Sequence, residues 1–328
     1  VILAGDLGGT KTILALYDEH NAELSCVKKE VFVSADFERF ETLLARFLAS
    51  ETGLIVNSVC LGVAGPVVDG DCNTTNLPWV LKRKEIAAQT NAAVVVLLND
   101  LEATAWGILD LPRDDFVELN PDAKENPGNI AVIAAGTGLG EALMIWSDNK
   151  YHVVATEGGH TDFAPRNELE IGLLRHLMQL HPEHVSYQQV LCGAGLVNIY
   201  QYLKAIDYAP VDQRIESRMK SEDPAAVIAQ QAHSGNDPLC VKVLDMFGEI
   251  YGAEAGNLAL KCLPEGGVVI AGGIAVKNLC HIQQGGFLQA YLAKGTFQSL
   301  LQGFSIKVCL NAEVGLLGAA GYATRMTV

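Results

Sequence analysis

The strongest constraint in this chain is a pattern that occurs twice. "VILAGDLGGTKTILAL", Val1–Leu16, is an apolar run, a glycine turn and a second apolar run, and "AVIAAGTGLGEALMIW", Ala131–Trp146, repeats the form. Both flanks of each turn read as strands, so each is expected to be a β-hairpin rather than the strand-to-helix junction of most phosphate-binding loops. Setting Gly8 against Gly138 aligns the flanking runs without a gap. Duplication and chance similarity of two turns both fit. Only the first copy carries an Asp, Asp6.

The remaining apolar runs extend the reading to a two-domain α/β chain. Strands are expected at Val1–Ala4, Thr12–Tyr17, Ser58–Val63, Val94–Leu98, Asn129–Ala135, Ala142–Trp146, Val268–Ala271 and Ser305–Leu310. Phe37, Phe40, Leu44, Phe47 and Leu48 keep helical spacing after a candidate cap at Asp36. Asn236-Asp237-Pro238 opens a long helix towards Lys261. Leu111–Gly128, rich in Pro, Asp and Asn, reads as a linker or domain edge. The expected domains are 1–110 plus 305–328, and 111–304.

Charge and composition narrow the partners. With 23 basic and 38 acidic residues the formal net charge is −15, which argues against nucleic acid or an anionic membrane surface. No apolar stretch approaches the ~20 residues of a spanning helix. No basic leader with a cleavage site is visible, so no signal peptide is expected and the cytoplasm is the expected location. The eight cysteines are scattered without a CxxC, as expected of reduced thiols rather than a disulfide or zinc framework.

Five segments could carry chemistry. In Gly5–Thr10 the Gly-Gly pair fits a plain hairpin, supplying positive φ cheaply. It equally fits a phosphate turn in which the Gly8, Gly9 and Thr10 N–H groups donate to phosphate oxygens. Asp6 then faces the Mg²⁺ that travels with a nucleotide, through water, because Mg²⁺ dehydrates reluctantly. In "AAGTGLGEA", Gly136, Thr137, Gly138 and Gly140 leave a bare backbone that a ligand can approach. In "VVVLLNDLEATAWG" a buried strand ends in Asn99-Asp100, where open α/β sheets bind ligands. The same pair is a good helix cap, and a carboxylate fixed there could take a proton from a substrate hydroxyl. In "TEGGHTDFAP", Glu157, His160 and Asp162 fit a metal site, a solvated turn or a set of partners for adjacent hydroxyls. In "GGVVIAGGIA", Gly272-Gly273 fits a tight strand-to-helix connection or a flat ring lying on the backbone. His181 and His184 read as surface or packing residues.

Each segment is weak alone, but their order and spacing are distinctive. GDLGGT, "LLNDLEATAWG", "AAGTGLGEA", "EGGHTDFAP", "SYQQVLCGAGLVNIY" and "GGVVIAGGIAVKN" together resemble the enterobacterial-type bacterial glucokinases, over nearly the whole chain. The related repressor and kinase branch with a cysteine-rich zinc signature fits less well, since only Cys192 lies nearby and no N-terminal helix-turn-helix is visible.

The resemblance implies a two-domain actin-like (ribonuclease-H-like) ATPase fold with a ligand cleft between the domains. It implies ATP-dependent phosphorylation of D-glucose to glucose 6-phosphate, the step that admits glucose to glycolysis, with ATP and Mg²⁺ and in a homodimer. Carried over by position, Gly5, Asp6, Leu7, Gly8, Gly9 and Thr10 form the first phosphate turn, with Asp6 near Mg²⁺. Thr137 and Gly138 belong to the second turn, and Gly272 and Gly273 border the adenosine. Asp100 is the base acting on the 6-hydroxyl, and Asn76, Asn99, Glu157 and His160 approach the sugar. The family's usual sugar-contacting Glu is Gln188 here, which replaces a charge-assisted hydrogen bond by a neutral one. Two rivals remain at this stage: a kinase for another hexose or N-acetylhexosamine, and a catalytically silent sugar or nucleotide sensor.

Overall fold

In a computed structural model covering residues 1–20, 23–51, 53–75 and 77–326, the apolar runs form strands with helices on their faces. The chain divides into two units. Unit 1 comprises Val1–Asp115, Val153–Ala155 and Asn311–Val328; unit 2 comprises Phe116–His152 and Thr156–Leu310.

Unit 1 is built on β1 (Ile2–Leu7), β2 (Lys11–His20), β3 (Glu23–Val33) and β4 (Ser58–Val63). The short strands β5 (Val67–Val68), β6 (Asp71–Asn73) and β7 (Val80–Leu81) form a small separate sheet, and β8 (Val94–Asn99) completes the main one. The main sheet has the order β3-β2-β1-β4-β8, with β1, β4 and β8 parallel and β2 and β3 antiparallel. Side chains alternate across it. Leu3, Leu7, Leu14 and Leu16 face a core with Phe40, Leu44, Phe47 and Trp79, while Ile2, Ala4, Ile13 and Ala15 face Leu316, Ala319 and Ala320. On that second face the helices Asp100–Ile108 and Val314–Met326 touch backbone to backbone. A Cβ on Gly318 would overlap the carbonyl oxygen of Ala103, and one on Gly107 would overlap that of Val314, so glycine permits the contact.

Unit 2 holds β9 (Phe116–Glu118), β10 (Ile130–Ala135), β11 (Leu139–Ser147), β13 (Val268–Ala271), β14 (Ile306–Cys309) and, apart from Val153–Ala155, β12 (Lys150–Thr156), in the order β12-β11-β10-β13-β14-β9. Its core collects Ile133, Leu177, Leu196, Ile199, Phe247, Tyr251, Ile270 and Val308 around the buried helix Pro238–Cys262. Asp237 caps that helix, its side chain accepting from the Cys240 N–H at 2.7 Å.

The repeated hairpin is a repeat of topology. β1 pairs antiparallel with β2 and parallel with β4; β10 pairs antiparallel with β11 and parallel with β13. Three expectations change in detail. The ladders close at Leu7↔Thr12 and at Ala135↔Leu139, so the first turn is one residue longer and Gly8 matches Gly136, not Gly138. Neither Gly8 nor Gly9 has positive φ. Asp36 does not cap a helix: Ser34–Asp36 is a 3₁₀ turn, and the helix runs Phe40–Leu48 after an extended Arg39. The reason lies in Ser34, whose N–H donates to Thr10 O at 3.1 Å and whose hydroxyl donates to Gly8 O at 2.8 Å, pinning this stretch to the first turn. The segment 111–128, expected to be a linker or domain edge, supplies β9 besides, which pairs antiparallel with β14.

Candidate active site

In unit 1 the candidate residues gather at the carboxyl ends of the three parallel strands. Asp6 is opposite Gly62 on β4, Gly62 is opposite Leu98 on β8, and the next residues are Asn99 and Asp100. Gly5 is wedged among Leu7, Leu14 and Leu61, each within 2.9 Å of where a Cβ would stand, so the strand carrying Asp6 cannot shift sideways. The turn after it is closed by the Gly8 N–H donating to Lys11 O at 3.0 Å and held from outside by Ser34. Leu7 is buried in the core, whereas Thr10 at the tip is exposed.

The Asp6 carboxyl points towards the first turn of the helix Val314–Met326, 3.6 Å from where a Cβ on Gly315 would be. Burial pushes its pKa up, and Lys11 opposes that shift. Asn99 caps the helix Asp100–Ile108, its Oδ1 accepting from the Leu101 N–H at 2.9 Å, while its Nδ2 donates to Gly65 O. Asp100 is therefore the first helical residue, where the helix dipole stabilises negative charge. Its Oδ1 also accepts from the Leu101 N–H, at 2.9 Å. The cap and the candidate base are one feature. Asn76 lies outside the described residues.

In unit 2 the second turn, Gly136–Gly138, is closed by the Gly136 N–H donating to Gly138 O at 2.8 Å and tied by Gly136 O to the Gly193 N–H at 3.0 Å. Tyr251 supports it from below, its hydroxyl accepting from the Ala135 N–H and donating to Ile133 O, both at 3.2 Å. Gly272 stands on the neighbouring strand end with φ +88°, and a Cβ there would sit 2.4 Å from Ala135 O. Only glycine fits, for conformation and for space. Gly273 next to it is exposed.

Glu157 and His160 are exposed at the two ends of a tight turn whose middle, Gly158–His160, is 3₁₀. Cβ positions on Gly158 and Gly159 would overlap the Glu141 side chain and Leu139 O, so the turn lies directly on β11. Gln188 reaches the same strand, its Oε1 accepting from the Leu139 N–H at 3.2 Å. Thr137, Gly138, Glu157, His160, Gln188 and Gly272-Gly273 thus share one end of the unit 2 sheet. Asp162 is instead paired with His184 at 3.0 Å. Among the described residues no group of three or more His, Cys, Asp or Glu side chains is set to hold a metal, which leaves the zinc reading of this stretch unsupported.

The glucokinase family model matches residues 3–326. A curated glucokinase of Trichormus variabilis is 40% identical over 99% of both chains, and one of Synechocystis is 37% identical over 97% of this chain and 96% of its own. The chain belongs to the glucokinase family. The crystal structure of a glucokinase from an Antarctic psychrotroph matches with a TM-score of 0.83 at 28% identity, over 99% of this chain and 98% of that one. The fold of this glucokinase-family chain is accordingly the two-domain actin-like α/β fold, with mixed sheets flanked by helices.

Several supporting residues carry no sequence signal strong enough to find them. Ser34 is one serine among many until the hairpin brings it to Gly8. Tyr251 lies in the middle of a long helix. Glu141 is the exception, because a charged residue inside the apolar run "EALMIW" is conspicuous. It is 2% exposed.

Proposed function

We propose that this chain transfers the γ-phosphoryl group of ATP to the 6-hydroxyl of D-glucose, with ATP entering as its Mg²⁺ complex. The observation that carries the reading is the placement of Asn99-Asp100 and Asp6 at the carboxyl ends of adjoining parallel strands, in a chain of the glucokinase family.

The roles follow from the geometry of each residue. The O6 hydroxyl attacks the γ-phosphorus, the bond from that phosphorus to the β-bridging oxygen breaks, and the hydroxyl proton passes to the Asp100 carboxylate. Phosphoryl transfer has a loose transition state, so most of the catalysis is positioning and neutralisation of charge. The two glycine turns offer backbone N–H groups to the phosphates, and Gly272-Gly273 leaves room for the adenosine.

Mg²⁺, when bound, screens the phosphate charge. Asp6 fits it as an outer-sphere partner: it is a single buried carboxylate with only Lys11 opposing its shift, and a hydrated cation meets that need. Glu157, His160 and Asn99 hydrogen-bond the sugar hydroxyls in this reading, and Asn76 joins them from its own segment. With Gln188 Oε1 taken by the Leu139 N–H, its Nε2 donates to a sugar oxygen where a carboxylate would accept.

Gln188 also supports a second reading, a shifted hexose preference within the same chemistry. A coupled assay with ATP and a panel of glucose, fructose, mannose and N-acetylhexosamines tests both. Glucose is expected to give the highest kcat/KM, and turnover of none of them would overturn the proposal. A homodimer in the cytoplasm belongs to the same reading by family resemblance, and the molar mass in solution by light scattering checks the dimer.

A further inference from the structure

The mechanism above leaves unused a pair of carboxyls buried beneath the candidate sugar turns. Glu141 on β11 is 2% exposed, and Glu254 in the helix Pro238–Cys262 is fully buried. The two carboxyls are close enough for each to act on the other's protonation. One oxygen of each, Oε1, is buried with no donor to it. Two ionised carboxylates in such a place would repel each other and leave both oxygens unsatisfied.

We propose that Glu141 and Glu254 share one proton, and that this protonated pair is a positioning device for the turns carrying Glu157, His160 and Gln188. The two orphan oxygens become donor and acceptor of a single O–H···O⁻ bond, which satisfies both. From Glu141 the device reaches the first turn directly: its Oε2 fills the space beside Gly158, and its carbonyl accepts from the Thr156 hydroxyl at 2.8 Å, whose oxygen accepts from the Gly158 N–H at 3.1 Å. From Glu254 it reaches the second. Asn257 Nδ2 donates to Glu254 Oε2 at 2.8 Å and to the Tyr187 hydroxyl at 3.1 Å, and Tyr187 precedes Gln188.

The charged and titratable groups around the pair are few. Lys261 lies on the helix of Glu254, and Lys294 is committed to Ala253 O and Asn257 Oδ1. Tyr251 is held by the β10 backbone, and Arg166 is paired with Glu170. No cation is therefore hydrogen-bonded to the pair itself among the described contacts. Burial, with Glu254 adding to it, pushes the Glu141 carboxyl up to about 8. An open pocket of about 440 Å³ lined by Glu254, Tyr187, Asn257 and Lys261 lies beside the pair.

The effect on turnover rests on the proposed sugar-kinase reading, whereas the shared proton does not. Infrared spectroscopy of the unliganded protein at pH 7 is expected to show a protonated-carboxyl band that disappears on titration past about pH 8 and is absent in E141Q. In the coupled assay from pH 6.5 to 9.5, the wild-type KM for glucose is expected to rise at least threefold above pH 8 with the KM for ATP level, and E141Q to flatten that rise. E254Q is the parallel variant should E141Q fail to fold. Persistence of the band in both variants, or wild-type KM profiles in both, overturns the proposal. If no hexose is turned over, the infrared titration still decides whether the proton is there, so the two failures are distinguishable.

Discussion

Changing Gln188 to Glu tests the proposed contact of this residue with the sugar and how much one charge contributes there. The substitution is nearly isosteric, and the side chain is already seated. Its Oε1 accepts from the Leu139 N–H at 3.2 Å and sits 2.6 Å from where a Cβ on Gly138 would be. A carboxylate can keep that bond and offer its second oxygen to a sugar hydroxyl. A neutral hydrogen bond contributes about 0.5–1.5 kcal/mol net and one to a charged group about 1.5–3 kcal/mol. Gln188 is half-buried, so the lower end applies, and the gain is about 1 kcal/mol, or roughly fivefold in affinity. Initial rates with glucose varied at saturating ATP, and the reverse, should give a glucose KM about fivefold lower in Q188E with the KM for ATP within twofold. Q188A should raise the glucose KM. An unchanged or higher glucose KM in Q188E, accompanied only by a shift in melting temperature, would show that Gln188 braces the turn and does not meet the sugar.

Other substitutions probe the rest of the reading. D100A should lower kcat by about 10²–10⁴-fold, the range of a general base, with glucose binding still measurable by calorimetry; near-normal turnover would sink the assignment. Burial raises the pKa of Asp6, so its ionised form destabilises the fold as pH rises above the ordinary carboxyl range. D6N should therefore melt at or above the wild-type temperature at pH 7 while needing more Mg²⁺ for half-maximal rate; a lower melting temperature contradicts the burial argument. G272A forces a side chain onto φ +88° and against Ala135 O, which should cost about 1–3 kcal/mol and raise the KM for ATP more than that for glucose. R166A leaves Glu170, 1% exposed, without its guanidinium partner, a loss of about 3 kcal/mol that calorimetry should record as a melting temperature lower by about 6–12 °C.

What could be read in the chain beforehand was whatever depends on neighbours in sequence. Asn99-Asp100 ends an apolar run, and a polar pair after a buried strand has few other places to be. Gly8 and Gly9 interrupt two apolar runs, and a hairpin follows. The features that escaped depend on residues brought from afar. Ser34 shifts the start of a helix because it is bonded to Gly8 and Thr10, and no local pattern around Asp36 reports that. The match between the two hairpins moves by two residues on the leading strands, from Gly138 to Gly136, because glycines align with glycines on paper while the ladders follow the hydrogen bonds of the flanking strands. Glu141 was visible as a charge in a strand, but its partner Glu254 lies on a helix far along the chain.

The repeated scaffold also explains why a single carboxylate is the better candidate for the base. By topology β8 of the first sheet corresponds to β14 of the second, each lying next but one to its hairpin strand. β8 runs into Asn99-Asp100 and a helix; β14 runs into Asn311, Glu313 and the helix Val314–Met326. Both asparagines accept from the backbone N–H two residues on, Asn311 Oδ1 from Glu313 at 2.9 Å as Asn99 does from Leu101, but only Asn99 directly precedes its helix. The carboxylates then diverge. Both oxygens of Glu313 are engaged by Lys29, at 2.6 and 2.9 Å, and Asn311 Nδ2 is held by Asp115 at 2.9 Å. A carboxylate with both oxygens on a lysine is a poor proton acceptor. Asp100 instead opens its helix directly, and the turn that shares its sheet edge is the one bearing Asp6. The repeated topology presents two corresponding strand-to-helix junctions, and ion pairing with Lys29 commits one of them to structure. K29A should accordingly lower stability without creating a second base: the double variant D100A/K29A is expected to stay as inactive as D100A, and recovery of turnover there would refute this division of labour.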